Sequence, residues 1–150
     1  MDVFDYRILR VLEEDADLPL TEIAKRVGLF SASAISKRIK RLKEEGYIKG
    51  FRAVIDYERL GFSFKTVTFV RARYGKDYNN RIGNWLRDMP GVSSVYFILG
   101  DIDFIFTTVS RNREDFLQRI ERLSENEDIE RTDSRVVLQE FKSTHSLDIF

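Results

Sequence analysis

Cysteine is absent from this 150-residue chain, histidine occurs once and proline twice. The first absence removes disulfides, thiolate metal sites and cysteine nucleophiles together. A single histidine, His145 near the C-terminus, argues against a multi-histidine metal site or a serine–histidine relay, and reads as a tail residue rather than a general base. No apolar run approaches membrane-spanning length, and the opening Met1-Asp2-Val3-Phe4-Asp5 lacks the basic start of a signal peptide. The expectation is a cytoplasmic protein without membrane contact and without a cofactor or metal. Hydrophobic residues make up 43% and aromatics 13%, enough to fill the cores of one domain or two small ones.

Net charge is zero, with 25 basic and 25 acidic residues, but the charge is unevenly placed. Residues 1–22 carry a balance of −5, residues 25–49 one of +6, and residues 51–150 one of −1. A neutral chain can therefore present one concentrated positive face. Taken alone, such a run is most simply a solvated helix face. Its surroundings say more.

Phe4, Ile8, Val11 and Leu12 recur at helical spacing and predict a helix over residues 2–14. Leu20, Ile23, Ala24 and Val27 predict a short second helix, with Pro19 at its start and Gly28 as its stop. A third helix begins near Ser31, buries Ile35, Ile39 and Leu42, and ends at Glu45-Gly46. Two helices joined by a tight glycine-containing turn, the second one basic, form the helix-turn-helix pattern. Ser31, Ser33 and Ser36 would lie at the end that enters a major groove, with Ser31 equally suited to capping the helix. Lys37, Arg38, Lys40, Arg41 and Lys43 would reach phosphates on either side. Residues 47–56 are β-rich around Gly50 and predict two short strands, a wing. The first domain is thus placed at residues 1–56 and a linker at 57–62.

From residue 63 to 150 the rhythm changes. Residues 64–74 read as a strand, and Ile82, Trp85, Leu86 and Met89 mark a helix closed by Pro90-Gly91. Residues 92–99 and 102–109 read as strands around a Gly100-Asp101 turn. Asn112 opens a helix that would bury Phe116, Leu117, Ile120 and Leu123, and residues 131–142 form the last strand. The order is βαββαβ, a ferredoxin-like split βαβ, so the chain is α+β, with an N-terminal winged helix-turn-helix joined to a ferredoxin-like domain. Two helices cover one face of a four-stranded sheet. Yet Val67 and Phe69 oppose Phe64 and Val70, and Ile105 and Val109 oppose Phe104 and Phe106, so both faces are apolar near the centre. A second copy of the same sheet is the simplest cover, and a homodimer is expected.

These residues resemble the Lrp/AsnC, or feast/famine, family of bacterial and archaeal transcription regulators, over nearly the whole chain. The first domain carries Asp2-x-x-Asp5-x-x-Ile8-Leu9-x-x-Leu12, Glu22-Ile23-Ala24, Gly28-Leu29 and Arg38-Ile39-x-x-Leu42-x-x-x-Gly46-x-Ile48-x-Gly50-Phe51. The second carries Pro90-Gly91-Val92, Val95-Tyr96, Leu99-Gly100-Asp101-x-Asp103-Phe104 and Arg131-Thr132-x-Ser134-x-Val136-Val137-Leu138. The resemblance implies an amino-acid-binding second domain and dimers that assemble further, often to octamers. It implies an effector pocket between dimers, walled on one side by Leu99, Gly100, Asp101, Ile102 and Asp103 and on the other by Thr132 and Ser134 of a neighbouring subunit, with Tyr78 as a further lining residue. Carboxylates would accept hydrogen bonds from the effector's ammonium, and amides and hydroxyls would donate to its carboxylate. Many members have an aromatic residue where Ile102 stands and threonine where Ser134 stands, so either a different side-chain preference or no strong ligand binding is expected here.

The expected function is a sequence-specific regulator of amino-acid or central metabolism that binds double-stranded DNA and responds to an amino acid. Replacing Arg38 or Arg41 is expected to weaken binding on all sequences. The alternative is an architectural DNA-binding protein without an effector. An enzyme is not expected, since Asp101 and Asp103 are the only plausible acid pair and no nucleophile, base or metal constellation joins them.

Overall fold

The computed structural model describes residues 1–142, so His145 lies outside the described residues. The chain forms two units, residues 1–55 and residues 56–140.

The first unit holds three helices, α1 (Val3–Glu14), α2 (Leu20–Val27) and α3 (Ala32–Glu44). Two of the three open on a side-chain cap, and α2 closes on a glycine. The Asp2 carboxylate accepts from the amides of Phe4 and Asp5 while Asp5 accepts from the amide of Asp2, a reciprocal capping box that opens α1. Gly28 closes α2 in the left-handed conformation at φ 84°, which a side chain would oppose. The Ser31 hydroxyl accepts from the Ala34 amide and starts α3. Ile8, Ile23, Val27, Ile35 and Leu42 are almost wholly removed from solvent and join the helices in one core. Each fully buried aliphatic of this kind contributes about 1.5–3 kcal/mol. The two predicted wing strands do not form: residues 47–56 carry no strand pairing. Most of this segment is exposed and it has no sheet to join, and an isolated two-stranded ribbon is at best marginally stable in water.

The second unit runs β1 (Phe64–Ala72), α4 (Tyr78–Arg87), β2 (Val92–Phe97), β3 (Phe104–Ser110), α5 (Arg113–Ser124) and β4 (Ile129–Val136). The antiparallel sheet has the order β2-β3-β1-β4. Val70, Ala72, Phe104 and Phe106 from the sheet meet Ile82, Leu86 and Leu123 from the helices in the second core. Leu117, expected inside, is exposed, because the buried stripe of α5 passes through Phe116 and Leu123 and leaves Leu117 on its flank. The last strand begins at Ile129 and stops at Val136, short of the expected residue 142, although the Val137 amide still donates to the Lys65 carbonyl at 2.9 Å.

Register fixes what each face of the sheet carries. Val70, Phe104 and Phe97 are cross-strand neighbours on the helix side. Phe69, Ile105 and Tyr96 are neighbours on the other, where Val67 and Val109 also stand. That second face is apolar at its centre and only half-buried, and β4 borders it with Arg131, Asp133 and Arg135. The Arg135 guanidinium sits 5.2 Å from the Phe69 ring centre.

Candidate functional site

The basic residues of α3 divide into two groups. At about 100° per residue, Ser33, Ser36, Lys37 and Lys40 share one outward arc of the helix. All four are exposed, and Lys40 pairs with Glu44 at 3.7 Å, one turn on. Ser31 and Ser33 lie hydroxyl to hydroxyl at 2.7 Å across the first turn. Lys43 lies further round, its ammonium 4.4 Å from the Phe51 ring centre, a cation–π contact that ties the segment after α3 to the helix.

Arg38 and Arg41 belong to the other group, each paired with a carboxylate of α1. Arg38 donates to Asp2 and to Asp5, both at 2.8 Å, and Arg41 donates to Asp5 at 2.6 Å. The Asp5 side chain is only 1% exposed, so one buried carboxylate on α1 holds two guanidiniums of α3. The Arg38 guanidinium also sits 5.7 Å from the Phe4 ring centre. Burial pushes the Asp5 carboxyl up. The Asp2 amide and the Arg38 guanidinium pull it down by more, leaving it below the usual range. The Arg38 hydrogen bond likewise lowers the Asp2 carboxyl, and both carboxylates raise Arg38 further. These two arginines therefore fix the angle of α3 against α1, leaving Lys37 and Lys40 to project from the outward arc. Sequence reading places Asp5 in the resemblance motif but misses its role as the partner of Arg38 and Arg41. The signal was a carboxylate adjoining the apolar stripe of α1 in a chain whose acidic first stretch precedes a basic one.

In the second unit the structure brings together only part of the expected effector set. Asp103 is buried, and its carboxylate accepts from the Ala72 amide at 2.8 Å and faces the Tyr78 hydroxyl at 3.5 Å. Its own amide donates to the Val70 carbonyl and its carbonyl accepts from the Ile98 amide. Asp103 thus pins the hairpin between β2 and β3 to the end of β1. Its carboxylate is turned inward, to the Ala72 amide and the Tyr78 hydroxyl. Burial first, then the Asp103 carboxylate, raise the Tyr78 phenol above its ordinary value.

Leu99, Gly100 and Asp101 stand in the exposed loop beyond that anchor. Gly100, at φ 147°, holds a conformation that favours glycine, with open space where a Cβ would be. Beside the hairpin, Tyr74, Tyr78, Phe97 and Phe104 form a chain of rings 5.1–5.9 Å apart. Thr132 pairs with Val70 on β4, and the Ser134 hydroxyl lies 2.8 Å from that of Thr68. Because β4 is the edge strand opposite β2, Thr132 and Ser134 do not meet the hairpin loop within one chain.

Among the described residues no cluster of three or more histidine, cysteine or acidic side chains is placed to hold a metal, and no helix is long and apolar enough to cross a membrane.

Comparison with known proteins matches both units. Residues 1–49 match the model of a winged helix-turn-helix DNA-binding domain, and residues 67–147 that of the Lrp/AsnC ligand binding domain. The chain is 34% identical over 149 residues to the HTH-type transcriptional regulator FL11 of Pyrococcus horikoshii, covering 99% of this chain and 97% of that protein. It is 28% identical to the leucine-responsive regulatory protein of Rhizobium meliloti, covering 99% and 96%. Among solved structures it resembles a transcriptional regulator from Neisseria meningitidis in complex with L-methionine. The TM-score there is 0.92 at 27% identity, over 98% of this chain and 96% of that one.

Proposed function

Since the chain belongs to the Lrp/AsnC family of DNA-binding transcription regulators, which are not enzymes, we propose that it regulates genes of amino-acid or central metabolism as a dimer or higher assembly, its DNA affinity or assembly state set by a bound amino acid. The observation that carries the DNA half is the outward arc of Ser33, Ser36, Lys37 and Lys40 on a helix braced from behind by Asp5. In this reading the serines meet base edges, the lysines meet phosphates, and Arg38 and Arg41 act by positioning the helix.

For the effector, Asp101 rather than Asp103 accepts from the ammonium, and exposed amides of the Leu99–Asp101 loop receive the carboxylate. Thr132 and Ser134 then come from a neighbouring subunit, since within one chain β1 separates them from that loop. The apolar centre of the open sheet face, around Val67, Phe69 and Ile105, is the surface on which two copies pair. The relative solved with L-methionine supports an amino acid as the effector class.

The test combines salt-dependent DNA binding with a ligand screen. The slope of log affinity against log salt should fall by about 0.9 per lysine removed, hence by about 1.8 for each of Lys37→Ala and Lys40→Ala in a dimer. A melting shift with one amino acid among the twenty, lost in Asp101→Ala, identifies the effector. Binding to DNA with no shift from any amino acid, and with footprints lacking discrete sites, would replace this reading with the architectural one.

A further inference from the structure

The turn between α2 and α3 contains two adjacent large apolar residues with opposite fates. Leu29 packs against the core of the first unit, while Phe30, immediately before the capping Ser31, is fully exposed. The geometry leaves no choice. The left-handed Gly28 reverses the chain, and the Leu29 amide closes on the Ala24 carbonyl at 2.8 Å, so Leu29 takes the inward position and Phe30 stands off the surface. Among the described large hydrophobics Phe30 has the greatest fractional exposure.

Its surroundings suit one kind of occupant. Beside it lies a concavity of about 300 Å³, with Thr21 and Lys25 from α2 and Ala32 from the start of α3 in its lining. Arg26, in the last turn of α2, and Lys37, on the outward arc of α3, are exposed on the same three-helix unit. An aromatic ring at the head of a basic helix, lining a mainly apolar hollow to which Thr21 and Lys25 add polar groups, is complementary to the floor of a DNA groove flanked by phosphates. The apolar feature of a major-groove floor is the thymine 5-methyl group, and phenylalanine is one of the side chains that contacts it.

We propose that Phe30 is a specificity-determining residue that reads a thymine methyl group at the edge of each half-site, with Thr21 and Lys25 engaging the adjacent sugar-phosphate. This rests on the DNA-binding reading above, and adds an apolar readout to the serine and lysine contacts of α3.

The test uses the full chain and duplexes selected by it from a random-sequence library. In the selected duplex each thymine is replaced in turn by deoxyuridine, which removes only the methyl group. At one position per half-site the wild-type protein should lose about fourfold in affinity, the value for one buried methyl. Phe30→Ala, which removes the contact at both half-sites, should bind the selected duplex roughly fifteenfold more weakly, bind a scrambled duplex as the wild type does, and be indifferent to deoxyuridine at that position. Phe30→Leu should recover part of the loss. All variants should keep the wild-type thermal transition, since Phe30 is absent from the core.

Equal losses on selected and scrambled duplexes, or no effect of deoxyuridine anywhere, would overturn the proposal while leaving DNA binding intact. A changed oligomeric mass in Phe30→Ala would also overturn it, assigning the ring to a contact between copies. No DNA binding by the wild-type chain would instead fail the reading on which the proposal rests.

Discussion

Asp5→Ala is the most informative single change in the first unit. The substitution removes a carboxylate that accepts from Arg38 at 2.8 Å, Arg41 at 2.6 Å and the Asp2 amide at 2.8 Å. Two charge-assisted hydrogen bonds contribute about 1.5–3 kcal/mol each when fully sheltered. Here the arginine side chains are 25% and 46% exposed, so both regain water when the carboxylate goes, and their share is reduced accordingly. Loss of the reciprocal cap on α1 adds about 0.5–1 kcal/mol, and relief from burying a charge returns part of the total. The expected net loss is about 2–3 kcal/mol, corresponding to a fall of roughly 10 °C or more for a domain of this size.

Two probes separate the units. The single tryptophan, Trp85, packs against the core of the second unit, whereas the first unit is entirely helical in its regular structure. Urea unfolding followed by far-ultraviolet circular dichroism should show an early transition in Asp5→Ala, while the Trp85 fluorescence transition stays where it was. A double-mutant cycle with Arg38→Ala should return a coupling of about 1–2 kcal/mol. A stability change below about 0.5 kcal/mol in Asp5→Ala, or no coupling in the cycle, would refute the idea that this carboxylate braces α3.

Two further outcomes follow from the same chemistry. Asp2 and Asp5 have lowered folded-state values, so the stability they contribute is complete above the unfolded carboxylate range near pH 4 and is lost as pH falls through the folded values. Far-ultraviolet circular dichroism, to which α1, α2 and α3 contribute most of the helix, should show that loss on acidification below about pH 4, with a shallower dependence in Asp5→Ala. In the second unit, Asp103→Ala strands the buried Ala72 amide and should cost about 1–3 kcal/mol by the Trp85 transition, and ultraviolet titration should find the Tyr78 phenol part of the way back towards its ordinary value.

The helices of both units were legible in the sequence because their signals are local. Asn112 opens α5 by accepting from the Asp115 amide, as its type and position suggested, and Gly28 and Gly46 both adopt positive φ where the apolar stripes of α2 and α3 stop. The alternation of the strands likewise placed Phe69 and Ile105 opposite Val70 and Phe104. What sequence could not supply was the partner of a charge. Arg38 and Lys37 are adjacent basic residues on one helix, yet one is bound to a carboxylate 33 positions away and the other is exposed. Nothing in their spacing distinguishes them, because the distinction arises from the packing of α1 on α3. Asp101 and Asp103 present the same difficulty two residues apart, one outside and one committed to the Ala72 amide. The wing strands failed for another reason: β-propensity in residues 47–56 is a preference for a pleated surface that this segment does not have.

The inward commitment of Asp103 also bears on how such a chain diversifies. The hydrogen bonds of this residue reach into β1 and back to Ile98, so the ends of the loop are fastened without help from the side chains between them. Positions 99 and 101, both exposed, are thereby released from the upkeep of the fold, and mutation there leaves the anchored ends of the loop in place. One fixed carboxylate makes its exposed neighbours a place where a library of variants would retain its scaffold.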